Sequence, residues 1–290
     1  MPPVSFAPNT GYVCAQRAAM KAGAGNLSAT IYDDFAAPGV WPGDKWYRHL
    51  PAPDLWDSAA GVTRDGTLAI EARRFTLTRR DAHDNVKALV YSTATFGAGA
   101  RGLLTVEAEM RVETFGTERN PFRVDPGDVR LGCGALNTID LKTWMVFDFF
   151  VSGSRIVALY ERLPFGQSVD NPYPAFTQLI PIAVPTVPGQ WHRYAISYDR
   201  RHDRAAWRVD GKVVAVRDAV GAPPGERGPI VKVDGIKIGG GLFTMFGDLL
   251  NDRARMGDRA KIPGLDPRYE RTLFGQGARV DFKAFKVGQE

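Results

Sequence analysis

Four residues near the middle of the chain have the types and spacing for acid/base chemistry. Asp148 lies in the aromatic segment TWMVFDFFV, and Tyr160, Glu161 and Arg162 follow in the next strand-like segment. A carboxyl group among aromatic side chains loses hydration, which favours its protonated form and suits proton transfer. We predict that these four residues are catalytic. A structural role, with Asp148 buried and satisfied by an arginine or a backbone donor, fits the sequence equally well.

Aromatic residues close to this group could line a pocket. Trp144 and Phe150 alternate along one face of the same strand-like segment, and Tyr173 and Phe176 lie in a loop-like stretch at 164–178. Long loops of a β sandwich often form lids or rims, and flat rings offer stacking surfaces. We predict that these four aromatic residues bind the ligand.

A second charged group lies in the segment EAEMRVE. Glu107, Glu109 and Arg111 share one face if the segment is a strand, because side chains alternate along a strand. They are candidates for ligand binding, with the arginine tuning the carboxylates. The alternative is a solvated strand face with alternating charges, which is the more common arrangement in antiparallel sheets.

The sequence offers little support for a metal or a cofactor. Cys14 and Cys133 lack metal-ligand spacing, and whether they pair stays open. His192 lies among aromatic residues and is expected to be structural, whereas His202 is expected to be exposed in a polar turn. The cluster at 81–84, with one histidine and two aspartates, is common in loops. No nucleophile elbow, phosphate-binding loop or dinucleotide fingerprint is present. We predict no metal and no cofactor.

The composition is that of a globular protein. The chain has 290 residues, of which 44% are hydrophobic, 11% aromatic and 24% charged, and its net charge is +5. The densest basic runs, at 200–204 and 251–261, contain interleaved aspartates, which favours a solvated surface over a nucleic-acid stripe. No apolar run approaches the length of a membrane span. We expect neither nucleic acid nor a membrane as a partner.

Short alternating segments separated by turn residues predict an all-β chain. The segment WHRYAISY at 191–198 alternates aromatic and polar residues, and Asp210-Gly211 is a strong tight-turn signal. One helix is predicted at 243–256. The predicted strands are 66–75, 103–113, 144–151, 154–163, 191–198, 205–216, 235–240 and 278–287.

Several of these segments resemble the concanavalin A-like lectin/glucanase superfamily. They are the hairpin GQWHRYAISYDRRHDRAAWRVDGKVV, the early segment YDDFAAPGVWPGDKW, the strand GLLTVEAEMRV and the closing strand ARVDFKAFKV. The resemblance implies an all-β, two-sheet antiparallel jelly-roll sandwich with few short helices, whose ligands usually bind on a concave sheet face. We predict an N-terminal extension at 1–30 and a single β-sandwich domain at 31–290.

The resemblance also implies a catalytic motif that this chain does not carry. Laminarinase-like enzymes of the superfamily have Glu-x-Asp-x-x-Glu on one concave strand, where alternate carboxylates share a face. The corresponding region, 129–156, contains Asp140 and Asp148 and no pair at that spacing. Calcium is common in the superfamily, but no cluster of oxygen ligands supports a calcium site here. An ordinary retaining glucanase is therefore not expected.

Three functions remain open from the sequence. The first is an enzyme that performs acid/base chemistry on a small hydrophobic or glycosidic substrate, of the cyclase, isomerase, lyase or hydrolase type. The second is a non-catalytic module that binds a carbohydrate or small molecule, and the third is a structural or interaction domain. The N-terminal stretch lacks a signal-peptide pattern, which favours the cytoplasm unless a leader precedes it. The sequence does not predict an oligomeric state.

Overall fold

A computed structural model of the protein shows a two-sheet antiparallel β sandwich, which confirms the predicted fold class. The described part contains fifteen strands and no α-helix, with single 3-10 turns at Thr117–Arg119 and Pro164–Gly166. None of its helices is long and apolar enough to cross a membrane. The residues that the structure describes are 29–37, 41, 43–49, 56–76, 85–100, 102–226, 230–245 and 273–290.

The strands belong to one eight-stranded and one seven-stranded sheet. In chain order the strands are β1 (Thr30–Asp33), β2 (Trp46–Arg48), β3 (Gly61–Arg64), β4 (Leu68–Ala72), β5 (Asn85–Ser92), β6 (Leu103–Phe115), β7 (Cys133–Asp140), β8 (Met145–Val151), β9 (Ile156–Arg162), β10 (Phe176–Ile182), β11 (His192–Asp199), β12 (Arg204–Val209), β13 (Lys212–Asp218), β14 (Lys237–Thr244) and β15 (Gly277–Gln289). The larger sheet has the order β13-β12-β11-β6-β15-β4-β3, with β1 also paired to β15, and the smaller has the order β10-β9-β8-β7-β14-β5-β2.

The main core fills the space between the two sheets. Phe147 of β8 lies at its centre, stacked on Tyr198 and Tyr160 and edge-on to Trp207. Alternate residues of the long strands β6 and β15 enter the same core, which follows from the two-residue period of a strand. The burial of these large rings provides the main driving force for closing the sandwich.

A second apolar layer covers the opposite face of the seven-stranded sheet, and we call it the outer layer. Its buried members include Val146, Phe150, Leu159 and Phe243. Because β7, β8 and β9 are buried on both faces, their sequences do not alternate between apolar and polar residues. This accounts for strand β7, which the alternation pattern did not predict.

Local turn chemistry was predicted correctly at one hairpin. Asp210 and Gly211 both have positive φ, at 51° and 79°, and form a two-residue turn between β12 and β13. Such turns favour Asp-Gly because both central residues adopt left-handed conformations. The predicted strand at 205–216 is therefore two strands.

Other predicted elements are corrected by the structure. The predicted helix at 243–256 begins inside β14, which runs to Thr244, and its residues 246–256 lie outside the described part. The stretch at 164–178, predicted as a loop, includes the start of β10. The predicted extension at 1–30 lies almost wholly outside the described residues, and β1 begins at Thr30.

Candidate functional site

Asp148 and Glu161 are the two predicted catalytic residues that the structure brings together. Both lie on the outer-layer face of the seven-stranded sheet, Asp148 on β8 and Glu161 on β9. In the β8–β9 register Asp148 is paired with Leu159, and Glu161 with Val146. Glu161 is thus the diagonal neighbour of Asp148, at a separation of about 7–8 Å between backbone positions. Both are nearly fully buried, at 1% and 5% exposure.

The carboxylate of Asp148 accepts hydrogen bonds from strand β7. The side-chain amide of Asn137 donates to Oδ2, and the backbone N–H of Thr138 donates to Oδ1 at 2.8 Å. Two N–H donors stabilise the ionised form of a carboxyl group. The backbone carbonyl of Asp148 also accepts a 3.0 Å hydrogen bond from Nε1 of Trp207, which ties β8 to the larger sheet. Asp148 is therefore fixed in position from two directions.

Tyr91 of β5 extends this network by one further residue. Its hydroxyl group donates to the carbonyl oxygen of the Asn137 side chain, whose amide group donates to Asp148. Tyr91 and Asn137 lie on strands separated by β14, and Gly239 of β14 is paired with both. A Cβ atom at Gly239 would lie 2.7 Å from Cδ1 of Tyr91. The missing side chain leaves the space in which the Tyr91 ring crosses β14.

The electrostatics of this group keep Tyr91 neutral. Burial raises the pKa of Tyr91 well above 10, and the nearby carboxylate of Asp148 raises it further. The ring of His49 lies edge-on to Tyr91, 4.9 Å between centroids, and burial lowers the pKa of this imidazole. Tyr91 is therefore a hydrogen-bond donor, and His49 favours its neutral form at pH 7.

Glu161 has a hydroxyl partner on the edge strand. The hydroxyl group of Thr177 on β10 donates to Oε1 of Glu161. We refer to Tyr91, Asn137, Asp148, Glu161 and Thr177 as the polar cluster. It lies within the otherwise apolar outer layer, where a low local dielectric strengthens interactions between charges and dipoles.

The other two predicted catalytic residues point away from the polar cluster. Tyr160 and Arg162 alternate with Glu161 on β9, so they face the space between the two sheets. The hydroxyl group of Tyr160 donates to the carbonyl oxygen of Ala222 at 3.0 Å and accepts from the N–H of Gly221 at 2.9 Å. The four residues predicted as one catalytic group are therefore corrected to two groups, on opposite faces of the sheet.

The predicted pocket walls are divided in the same way. Phe150 is buried in the outer layer, and Trp144 packs against that layer from the turn before β8. Tyr173 instead covers the guanidinium of Arg162, and Phe176 contacts the ring of Tyr160. Trp144 and Phe150 thus lie on the same side of the sheet as Asp148, whereas Tyr173 and Phe176 lie with Arg162 and Tyr160.

Glu107, Glu109 and Arg111 lie on the outer face of the eight-stranded sheet, on the other side of the sandwich. Glu107 pairs with Lys286 at 3.2 Å, Glu109 pairs with Lys283 at 3.1 Å, and Arg111 pairs with Asp281 at 3.1 Å. All three pairs cross from β6 to β15. This arrangement corresponds to the solvated strand face that the sequence left open, and it is remote from Asp148.

The histidines that were expected to be structural or exposed take those positions. His192 is buried, with Nδ1 2.8 Å from Asp210, and His202 is exposed, with Nδ1 2.7 Å from Asp199. Cys133 is buried in the outer layer. Cys14 and the cluster at 81–84 lie outside the described residues.

Sequence reasoning missed Tyr91, Asn137 and Thr177. Asn137 lies in a strand without alternation, and Tyr91 belongs to a strand that was not predicted. The run Gly239-Gly240-Gly241 was a usable signal, because glycines inside a strand often mark the close approach of another group. The partner of these glycines could not be identified before the strand order was known.

The polar cluster has the components of an acid/base site. The carboxylate of Asp148 accepts hydrogen bonds from two N–H donors, and Glu161 lies on the same face of the sheet. A buried neutral phenol completes the network. Two carboxyl groups with different surroundings can divide the roles of proton donor and proton acceptor.

Comparison with known proteins identifies a family and a fold. A family model described as a family of unknown function (DUF6081) matches residues 49–290. Uncharacterized protein L829 of Acanthamoeba polyphaga mimivirus is 62% identical over 45 residues, which are 16% of this chain and 10% of that protein. The chain thus matches about a tenth of the length of this curated relative.

Solved glucanases share the fold. The catalytic domain of an endo-1,3-β-glucanase (laminarinase) from Thermotoga petrophila RKU-1 has a TM-score of 0.53 and 14% identity, covering 91% of this chain and 99% of its own. A Bacteroides ovatus GH16 protein of a mixed-linkage glucan locus, in complex with a G4G4G3G product, has a TM-score of 0.50 and 15% identity, covering 88% and 98%. These similarities confirm the predicted concanavalin A-like jelly roll.

Proposed function

The chain belongs to the DUF6081 family, a family of unknown function, and from the polar cluster we propose that it is an acid/base enzyme acting on a glycosidic substrate. Asp148 is the base that activates water, and Glu161 is the acid that protonates the leaving oxygen. The role of Asp148 is supported by the two N–H donors to its carboxylate, and the role of Glu161 by its position on the same sheet face.

The observation that carries this proposal is the position of two buried carboxyl groups on one sheet face. Their diagonal placement on β8 and β9 gives about 7–8 Å between backbone positions. In inverting glycosidases one carboxyl group activates water and the other protonates the leaving oxygen, a division of roles that needs two carboxyl groups in one site. The N–H donors of Asn137 and Thr138 favour ionised Asp148, which fits the role of the base. Glu161 is given the role of the acid because it is the second carboxyl group on the same face.

The choice of a glycosidic substrate is supported by the fold. The laminarinase and the mixed-linkage glucan protein are saccharide-active or product-bound by their own descriptions. The chain lacks the single-strand carboxylate motif of laminarinase-like enzymes, and the polar cluster distributes its two carboxylates over neighbouring strands instead. Trp144, which packs against the outer layer, offers an aromatic surface beside them.

A non-catalytic carbohydrate-binding module is the second candidate. The observation that favours it is the depth of burial of Asp148 and Glu161, since buried, hydrogen-bonded carboxylates also occur as parts of a packed layer. In that case the polar cluster stabilises the sheet, and a saccharide binds without being cleaved.

The first test uses variants that keep the hydrogen bonds but move or remove a charge. In Asp148→Asn alone, two amide donors face each other, because the amide of Asn137 already points at position 148. The double variant Asp148→Asn/Asn137→Asp exchanges the two groups, so that residue 137 accepts from Tyr91 and from residue 148. Glu161→Gln keeps an acceptor for Thr177. Glu109→Gln, on the opposite outer face, is the matched control.

We expect the double variant and Glu161→Gln to fold and to lose about 10²–10⁴-fold in the rate of hydrolysis of a β-glucan panel, measured as reducing ends released. Glu109→Gln should retain the wild-type rate. Wild-type activity in Glu161→Gln would remove this residue from the mechanism. Saccharide-dependent thermal stabilisation without hydrolysis, equal in all variants, would establish the binding module.

A further inference from the structure

Arg162 is a buried cation at the end of β9. It is 7% exposed, its Nε donates to the carbonyl oxygen of Thr143 at a long 3.4 Å, and its Nη1 is buried without a hydrogen-bond partner. Burial lowers the pKa of this guanidinium from its ordinary value. A buried guanidinium whose donors are not all used destabilises the folded state until an acceptor reaches it.

Among the described residues, no carboxylate lies within ion-pair distance of Arg162. Other partly buried arginines of the protein do have such partners: Arg64 pairs with Asp33 at 3.0 Å, and Arg130 with Asp128 at 2.7 Å. Arg208 and Arg217 are also partly buried without a carboxylate partner among the described residues, but each donates to a side chain, Ser197 and Gln178. Arg162 donates only to a backbone carbonyl group in the described part of the chain. A buried charge without a counter-ion is rarely retained unless it has a function.

The surrounding loop holds the Arg162 guanidinium in place by one of its faces. The ring of Tyr173 lies 3.8 Å from Cζ of Arg162. Tyr173 is fixed in turn, because its hydroxyl group donates to the carbonyl oxygen of Leu163 at 2.6 Å and accepts from the N–H of Gly166 at 3.0 Å. Stacking on a ring leaves the N–H edges of the guanidinium for an acceptor in its plane.

A second arginine lies on the same side of the sheet. Arg217 of β13 donates through Nε to the side chain of Gln178 at 2.8 Å, and Gln178 is paired with Tyr160 on β9. Tyr160, Gln178 and Arg217 line a pocket of about 290 Å³ beside Arg162, and its rim also carries Glu226 and Asp218, the latter paired with Arg204. Tyr160 lies two residues before Arg162 on the same face of β9, so the Arg217–Gln178 pair is adjacent to the position next to Arg162 on that face. Burial raises the pKa of Tyr160, and the positive charges of Arg217 and Arg162 oppose that rise.

We propose that Arg162, together with Arg217, forms an oxyanion-binding site at this end of the sandwich, which takes a carboxylate, sulfate or phosphate group. A planar guanidinium forms two parallel hydrogen bonds with such a group, so one oxyanion satisfies the Nη1 donor and neutralises the buried charge. The site is independent of the acid/base proposal, because Arg162 and Glu161 point to opposite faces of β9.

The experiment measures the thermal unfolding midpoint with sulfate, phosphate or glucuronate, each against chloride at equal ionic strength. Glucose is the neutral counterpart of glucuronate. A ligand that binds the folded state alone raises the midpoint as its concentration increases. The variants are Arg162→Met, which removes the charge at similar length, and Arg162→Lys, which keeps the charge but loses the planar fork. Arg155→Met, at an exposed arginine paired with Asp125, is the matched control.

We expect at least one oxyanion to raise the wild-type and Arg155→Met midpoints by several degrees over chloride. The increase should disappear in Arg162→Met and shrink in Arg162→Lys. Without an oxyanion, Arg162→Met should be at least as stable as the wild type, because it no longer buries an unpaired charge. A response to glucuronate but not to glucose assigns a sugar acid, and a response to sulfate or phosphate alone assigns an inorganic or ester group.

Equal increases in the wild type and Arg162→Met, or no increase with any oxyanion, would overturn the proposal. If Arg162→Met does not fold, Arg162→Lys and Arg217→Gln decide the question, since an unaltered oxyanion response in both contradicts the site. The double variant Asp148→Asn/Asn137→Asp should keep the full oxyanion response. Failure of this proposal is thus distinguishable from failure of the acid/base proposal.

Discussion

The hydroxyl group of Tyr91 is the outermost donor of the network that ends at Asp148. It lies in a fully buried position, and its proton is donated to Asn137. The Tyr91 hydroxyl donates to the amide oxygen of Asn137, and the amide nitrogen of Asn137 donates to Asp148. Both hydrogen bonds therefore point towards the carboxylate. The orientation of the Asn137 side chain, and hence the donor offered to Asp148, is set by Tyr91.

We predict that Tyr91→Phe lowers the free energy of unfolding by about 1–3 kcal/mol, because it leaves the buried oxygen of Asn137 without its donor. Urea unfolding is the measurement. Tyr47→Phe is the control, since Tyr47 packs against the same layer and its hydroxyl group has no hydrogen bond among the described residues. Equal losses in the free energy of unfolding for the two variants would contradict the prediction, since they would show that the hydrogen bond from Tyr91 to Asn137 adds no stability.

Strand β14 is the element on which the polar cluster depends, because it separates Tyr91 from Asn137. Its three consecutive glycines are all buried in a central strand. A Cβ atom at Gly239 would collide with the carbonyl oxygen of Val90 and with the Tyr91 ring. The strand thus contributes space to the site rather than a side chain.

Gly239→Ala should therefore destabilise the protein by about 1–3 kcal/mol, the range for forcing an extra methyl group into a packed core. It should also displace Tyr91 and reduce any activity of the polar cluster. Gly61→Ala on β3 is the matched control, since no atom lies within 4 Å of the position of its Cβ. Thermal unfolding of both variants checks the difference, and equal stability would show that β14 can shift to make room.

At the scale of the whole molecule, stability depends on a buried lysine. Lys87 of β5 is 1% exposed and lies with its ammonium group 5.4 Å from the centre of the Phe75 ring. Burial lowers the pKa of Lys87 from 10.5 to about 8, although the charge of Asp57 opposes this. Between pH 8 and 10.5 the unfolded chain therefore binds more protons at this residue than the folded chain does.

The free energy of unfolding should consequently increase as the pH rises from 8 towards 10.5, and decrease again as the pH is lowered to 8. Relative to Lys87→Met, the wild type should gain about 1.5 kcal/mol between pH 8 and 9.5. Buried tyrosines with raised pKa values act in the opposite direction above about pH 10, so the comparison stops at 9.5. Parallel stability curves for the two proteins in urea would contradict the prediction.

Most of the long strands of the larger sheet could be predicted from the sequence. Its strands alternate because one face packs in the core and the other carries ion pairs such as Glu107–Lys286. The Asp210-Gly211 turn was recognisable because its residue types are those that tolerate positive φ. The same alternation places Tyr160 and Arg162 on one face of β9 and Glu161 on the other.

The seven-stranded sheet was less predictable, because burial on both faces removes the alternation on which strand prediction depends. Strand β7 and its Asn137 were missed for this reason, and β5 with Tyr91 was missed as well. Only one of the predicted partners of Asp148, Glu161, lies on its side of the sheet. The four predicted catalytic residues could be placed in strands, but not all in one site.

By itself, the amino-acid sequence determined the all-β class and the faces of the strands that it predicted, since these follow from periods of two residues and from short turns. The jelly roll was implied by the resemblance of several segments to a known superfamily. Only the tertiary structure decided that β14, about a hundred residues beyond β7, lies between β5 and β7 and joins Tyr91 to Asn137. Strand order depends on packing between segments that are distant in the chain. Local sequence patterns do not predict the strand order. The polar cluster and the environment of Arg162 both depend on that order.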